Sequence, residues 1–292
     1  PLVVLLLAGP LGVPQSWVWR LAFGFGAFLA LFCALLRWIH LRETDSFSAA
    51  ARDLEGSSTS AGSGSSTFAA LLSMKWALAG AAGSWFLYDI VTYGTGLFTT
   101  TIFPAGPGMG DAENVLIINA VSLPGFIAAI ILAQHVRMRK LMTVSLCGMF
   151  ICFVILAGLF RASGELQSRQ GVAMGIYVVQ KCLDELGPGL ATFVVPGQIF
   201  PTRLRATAHG ISAAAGKLGA VVGTVVFPHV NAALGLRAIM VFMAITSALT
   251  AAWSWFLVPS YGVAALEEIA RHDQGLSIER QGALAERILY EP

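Results

Sequence analysis

Seven stretches of this chain run almost without charge for the length of a membrane crossing: residues 17–38, 76–103, 115–134, 141–160, 172–197, 209–230 and 236–258. About 20 apolar residues wound as a helix cover the hydrocarbon thickness of a bilayer, so each stretch is long enough to span. The pattern predicts an all-α membrane protein with about seven transmembrane helices. Between the first two stretches, residues 39–75 break the pattern, and their centre, 56–66, is rich in Gly and Ser and poor in apolar residues. Such a segment cannot bury enough surface to offset the entropy of ordering it, which predicts a flexible linker. Residues 2–9 are apolar but lack the charged start and small-residue cleavage site of a signal peptide, and read as the end of a further helix cut by truncation. At the other end, residues 264–291 carry mixed charge with apolar positions near helical spacing, which predicts a short surface helix.

Composition agrees with this reading. With 56% apolar and 12% charged residues among 292, there is too little charge to cover a soluble surface, and the mean hydropathy is +0.74. A net charge of +2, carried by basic residues scattered singly, argues against a nucleic-acid partner. Those basic residues do set an orientation. Arg37, Arg42, Arg52, Lys75, Arg137, Arg139, Lys140, Arg203 and Arg205 fall on one side of the predicted spans, with Arg271, Arg280 and Arg287 in the tail. Only Arg20, Arg161, Arg169 and Arg237 fall opposite. The excess places linker and C-terminus in the cytoplasm. Cys33, Cys147, Cys152 and Cys182 lie in apolar runs without metal-ligand spacing, and read as small core residues. The five histidines, His209 among them, sit at span ends or in the tail and read as interfacial filler. No phosphate-binding Gly loop, nucleophile elbow or zinc-protease motif occurs, so neither an enzyme nor a cofactor or metal site is expected.

The informative residues are those ionisable at membrane depth, where a charge is costly unless it is paired, protonated or facing water. Asp89 stands at the middle of 76–103, with Trp85 one turn before and Tyr93 one turn after it on nearly the same face. A wall and indole N–H, a carboxyl able to take a proton, and a hydroxyl make a substrate stripe; the alternative is a structural acid paired with a base among packing aromatics. Lys217 lies on a small-residue face with Gly210, Ala213, Ala214, Gly216, Ala220 and Gly223. That face lets helices approach closely, so Lys217 either faces the interior, to hold an anion or pair with Asp89, or snorkels to the cytoplasmic interface. In 172–197, Lys181, Asp184 and Glu185 precede Gly187, Pro188 and Gly189, which predicts a broken span of the kind that lines transport sites. Glu185 can contribute to a substrate site, or Lys181 can neutralise Glu185 or Asp184 within its own helix.

Two segments also carry a family resemblance. Residues 83–93, GSWFLYDIVTY, followed by Leu97 and Phe98, closely resemble the seventh helix of proton-coupled inorganic phosphate symporters of the major facilitator superfamily. Residues 196–217, PGQIFPTRLRATAHGISAAAGK, resemble that family's loop and start of its eleventh helix, and weaker similarity runs from Trp19 to Val258. The resemblance implies that 1–38 ends an N-terminal helical half most of which is missing, 39–75 is a cytoplasmic linker, 76–258 is a six-helix C-terminal half and 259–292 is a cytoplasmic tail. It makes Trp85, Asp89, Tyr93 and Lys217 substrate-site positions, with Asp89 in the proton path; Glu185 is added from the residues themselves. It further implies inorganic phosphate and protons as what is carried, a multi-pass place in the lipid bilayer of the plasma membrane, and a site completed by the missing half. The chain departs from the family where 185–189, ELGPG, replaces Asn-Phe-Gly-Pro-Asn, where Gln198 replaces Glu, in the short loop 134–140, and at 259–262. The expected function is proton-coupled phosphate symport by alternating access. The alternatives are transport of an organic or cationic solute, or a truncated non-transporting paralogue acting as sensor or partner subunit.

Overall fold

In a computed structural model, the chain is described over residues 2–8, 11–40, 63–105, 110–160 and 170–260, and these residues are mostly helical, joined by short turns, with no β-strand among them. The elements are α1 (Leu2–Ala8), α2 (Gln15–His40), α3 (Ser63–Ser73), α4 (Lys75–Gly96), α5 (Thr99–Ile102), α6 (Asp111–Leu132), α7 (Met138–Leu159), α8 (Gln170–Asp184), a π-helical turn (Glu185–Gly189), α9 (Leu190–Ile199) and α10 (Thr202–Leu257). By length and composition, Ser16–His40, Asp111–Leu132, Met138–Leu159 and Leu204–Leu257 can each cross a membrane.

The last of these is two helices. Gly235, at φ 75° and ψ 176°, breaks the helical winding, and only a residue without Cβ adopts that φ without strain. The resulting arms, 202–234 and 236–257, correspond to the last two apolar stretches. The stretch 76–103 is interrupted at 97–98, between α4 and α5, and 172–197 is broken by the π turn where Gly187 and Pro188 predict a discontinuity. The stretch 39–75 differs from expectation at its end. Its last third is the helix α3, because Phe68, Ala69, Ala70, Leu71 and Leu72 are a helix-forming apolar run whose Ala70 and Leu71 are buried with Met74. Residues 41–62, and the predicted surface helix in 264–291, lie outside the described residues.

The packed bundle is built from α3, α4 and the elements after them, whereas α2 is exposed along nearly its whole length, with Val18 the one buried residue among its described side chains. Along α7, Met142, Leu146, Met149, Phe153, Leu156 and Phe160 recur at spacings of three and four and form one wall of the core, while Val144, Ile151 and Ile155 point outward. Outward apolar side chains are no liability in lipid. For the same reason burial of apolar surface does little to hold these helices together, and close packing must do it.

That packing is tightest where α4 lies between the two arms of α10. A methyl group on Gly219 would collide with the carbonyl of Phe86, and one on Gly223 with the carbonyl of Ile90, so the first arm touches α4 backbone to backbone. On the other side Trp253 Nε1 donates to the Ala79 carbonyl at 3.0 Å and the Ser84 and Ser254 hydroxyls are 3.1 Å apart. One end of the bundle gathers basic residues: Arg137 donates to Ser260 Oγ at 3.3 Å, and Arg139 stacks on Trp255, with Lys75 opening α4 beside the end of α10. A Gly219→Val substitution is expected to force α4 and α10 apart and to destabilise the bundle by about 1–3 kcal/mol, the usual cost of overpacking. Thermal unfolding of the purified protein in detergent measures it, and an unchanged midpoint would contradict the close approach.

Candidate functional site

The close approach of α4 and α10 decides what the site contains. Asp89 is buried at 3% exposure on the face of α4 turned to α10, and Tyr93, one turn on, shares that face. Opposite them Lys217 Nζ donates to Asp89 Oδ2 at 3.3 Å and to Tyr93 Oη at 2.7 Å, and lies 4.5 Å from the centre of the Tyr93 ring. The ion pair is asymmetric: the Asp89 side chain is 4% exposed and that of Lys217 60%. Lys217 therefore neither snorkels away nor hides. Its stem runs along the open side of the bundle while its amine reaches in to the acid.

Trp85 closes the stripe on the other side of Asp89. It is 2% exposed, with Phe193 of α9 edge-on at 4.7 Å and His209 edge-on at 5.6 Å between ring centres. Its indole also lies where any side chain on Gly216 would have to go. His209 thus differs from its expected role as interfacial filler. The apolar stretch starts at residue 209, but α10 starts at Thr202, so His209 stands two turns inside the helix and seven residues before Gly216, on the same face.

A second polar seam joins α4 to α8. Lys181 Nζ is 3.2 Å from Asp184 Oδ2, and Thr92 donates to Asp184 Oδ1 at 3.1 Å. Lys181 and Asp184 are both buried. Of the two acids offered as its partner, Lys181 takes the one three residues on. Glu185 stands at the start of the π turn, half-buried; its carboxylate and the Tyr88 hydroxyl both flank the space above Gly189, each 3.3 Å from where a Cβ would sit. Among the described residues Glu185 forms no hydrogen bond or ion pair, and the Lys217 amine contacts Asp89 and Tyr93 instead. The structure therefore brings together Trp85, Asp89, Tyr93 and Lys217, and leaves Glu185 with Tyr88 on a neighbouring face.

Several polar residues of this region escape the sequence reading. Thr92 follows Asp89 by three residues, a signal available in the sequence, whereas Tyr88 and Gln180 give none. Gln180 is wholly buried one turn before Asp184, and neither of its amide atoms has a partner among the described residues. Tyr177, also wholly buried, donates to the Thr95 carbonyl at 3.3 Å and lies 3.2 Å from the Thr99 hydroxyl, extending the seam along α4. No group of His, Cys, Asp and Glu among the described residues is arranged to hold a metal ion.

The site thus lies between two glycine-packed helices of a bundle with four helices long and apolar enough to cross a membrane among the described residues. The family model for "Sugar (and other) transporter" matches residues 8–272, and the chain belongs to that family of the major facilitator superfamily, as an integral membrane protein. It is similar to an inorganic phosphate transporter of Saccharomyces cerevisiae, with 35% identity over 50% of this chain and 26% of that protein. It is similar, too, to the probable inorganic phosphate transporter 1-12 of Oryza sativa subsp. japonica, at 29% identity over 66% of this chain and 40% of the relative. A third relative, glycerophosphoinositol permease 1 of Candida albicans, is 30% identical over 54% of this chain and 31% of its own length. The chain thus spans between 26% and 40% of the length of these three relatives.

The Lys181–Asp184 pair gives a test of the second seam. Asp184→Ala leaves the Lys181 amine buried without its counter-charge and is expected to cost about 3–5 kcal/mol of stability, whereas the double change Lys181→Met with Asp184→Leu should recover most of it. Thermal unfolding of both variants in detergent decides; equal losses would mean that the charge pair is not what the site balances.

Proposed function

We propose that this chain forms part of a proton-coupled inorganic phosphate symporter that works by alternating access, with Trp85, Asp89, Tyr93 and Lys217 at the substrate site and Asp89 in the proton path. In this reading residues 76–258 act as the C-terminal half, 39–75 and 259–292 lie in the cytoplasm, and the membrane is the plasma membrane. The observation that carries the reading is the Lys217 amine shared between Asp89 and Tyr93 at 3.3 and 2.7 Å. An ionised Asp89 occupies the amine and neutralises it. When Asp89 takes a proton, its claim on Lys217 weakens, and the amine and the Tyr93 hydroxyl become donors for an anionic oxygen. Proton and anion then enter together because each removes the obstacle to the other. Release runs in reverse, as loss of the proton returns the carboxylate to Lys217 and the anion loses its partner. Support for phosphate as that anion comes from the relatives named inorganic phosphate transporters.

Asp89→Asn fixes the site in its neutral form and is expected to abolish pH-driven accumulation while retaining phosphate binding. Lys217→Ala removes a charge-assisted hydrogen bond of about 1.5–3 kcal/mol and should weaken binding roughly 10- to 100-fold. Labelled phosphate uptake into proteoliposomes of the full-length protein under an imposed pH gradient measures the first, and equilibrium binding the second. PH-dependent uptake that survives Asp89→Asn would remove the proton role. Uptake of an organic cation that phosphate does not inhibit would favour the cationic-solute alternative, in which Glu185 beside Tyr88 supplies the charge.

A further inference from the structure

We propose that Glu185 is a second proton-binding carboxyl of the transport cycle, taking a proton as the anion arrives and losing it as the anion leaves. The coupling rests on the reading of Lys217 as the anion's partner, but proton exchange at Glu185 is measurable without it. Glu185 lies in the middle of the stretch 172–197, where a carboxylate without a counter-charge is costly. Its own helix offers one base, and that base is taken. Lys181 pairs with Asp184 at 3.2 Å, and Thr92 holds the other oxygen of Asp184 at 3.1 Å. The other lysine of the region, Lys217, is shared by Asp89 and Tyr93. Asp89 and Asp184 are therefore each matched by a lysine, and the charge of Glu185 is left over.

The other helices packed on the π turn do not cancel it. Tyr88 of α4 faces Gly189, and Ser145 and Leu141 of α7 face Gly187. The charged side chains of α6 and α7 stand in their first turns, Asp111 and Glu113 in one and Arg139 and Lys140 in the other, and α9 carries none. Among the described residues none of these bonds to Glu185. The local winding provides for the carboxyl in either state. Pro188 has no N–H to give the carbonyl four residues back, that of Asp184, and the helix widens into a π turn there. Gly189 leaves open the space on which that carbonyl, Glu185 Oε2 and Tyr88 Oη converge; a Cβ at 189 would lie 2.9, 3.3 and 3.3 Å from them. An ionised carboxyl has a donor there in the Tyr88 hydroxyl, and a protonated one has an acceptor in that hydroxyl or in the carbonyl. Because Glu185 is only half-buried, one side remains through which a proton can come and go. An anion meeting Lys217 is repelled by Glu185 while that carboxyl is ionised. Anion and proton therefore strengthen each other's binding, by the same factor in both directions.

Infrared titration of the purified full-length protein without phosphate reads the carboxyl directly. Its protonated C=O band should grow as the pH falls, with one component that Glu185→Gln removes and Asp89→Asn leaves in place. Absence of that component at every pH at which the protein stays folded would mean a carboxylate held ionised, and would overturn the proposal. If Glu185→Gln does not fold, Glu185→Asp carries this test by moving the component in frequency, and an unmoved spectrum overturns it. Loss of the component on adding sodium or an organic cation at constant pH would make the cradle a site for that cation, against the proton assignment. Equilibrium phosphate binding across pH reads the coupling, and since phosphate's own ionisation is common to all variants, differences between them count. Glu185→Gln copies the protonated form, so it should bind more tightly than wild type at alkaline pH and lose up to about a tenfold change in affinity per pH unit, the share of one proton. Weaker binding with the pH dependence intact would show a structural role instead and sink the coupling. Phosphate bound by no variant, with the Glu185 component still titrating, would refute phosphate as the anion while supporting proton exchange at Glu185.

Discussion

A carboxylate at membrane depth must find a counter-charge within the protein, and the arrangement of α4 against α10 answers that demand. Asp89 cannot move toward Lys217 along its own helix; the two helices have to come close enough for the amine to reach 3.3 Å from the acid. Side chains larger than hydrogen at 219 or 223 would hold the backbones apart by their own thickness. The small-residue face and the buried acid are therefore one design. The same approach presses Gly216 and His209 onto Trp85, so the aromatic end of the stripe is set by the contact that sets its charged end.

In lipid, where apolar surface gains little by being buried, the remaining helices are held by shape and by polar links. The links here are economical. Trp253 donates to a carbonyl of α4, the Ser84 and Ser254 hydroxyls meet across the same interface, and Tyr177 reaches Thr95 and Thr99 from α8. The first two tie the second arm of α10 to α4 and the third ties α8 to it, so α4 is the element that both are fastened to. The winding of α8 gives way to a π turn at Glu185–Gly189 where Gly187 lies against Ser145 and Leu141 of α7, close enough that a side chain on Gly187 could not be accommodated. A helix that has to pass so close to its neighbour while carrying Pro188 departs from regular winding at that place.

Much of this was legible in the residue order, because membrane helices announce themselves by length and a buried charge by its isolation. Trp85, Asp89 and Tyr93 share a face by helical spacing alone, and the small residues around Lys217 imply a close neighbour. What could not be read was which residues stand across from one another in other helices. Gly210 and Ala213 share a small-residue face with Gly216 and Gly223, yet contact with α4 also falls on Gly219, since the register between helices is a property of the pair. The contact of His209 with Trp85 is hidden because an apolar stretch and a helix have different ends. That Thr92 donates to Asp184 is likewise a matter of register between two helices, and Glu185 opens a π turn that the sequence marks only as a break.

The two ion pairs differ in the property that decides whether a pair can change. Lys181 and Asp184 are 10% and 2% exposed as side chains, and Thr92 holds the acid's other oxygen, so separating them would strand charge where no water can take the place of the partner. Lys217 is 60% exposed while Asp89 is 4% exposed. If that pair parts, the amine can be solvated or can meet an anion at once, and the cost falls almost wholly on the carboxylate, which a proton removes. A buried acid facing an accessible base is thus suited to exchanging its partner, whereas the buried pair within α8 is suited to holding Asp184 in place to accept from Thr92 of α4. By this criterion the seam through Lys181 fixes α8 on α4, and the pair through Lys217 is the part of the bundle whose charge is free to respond.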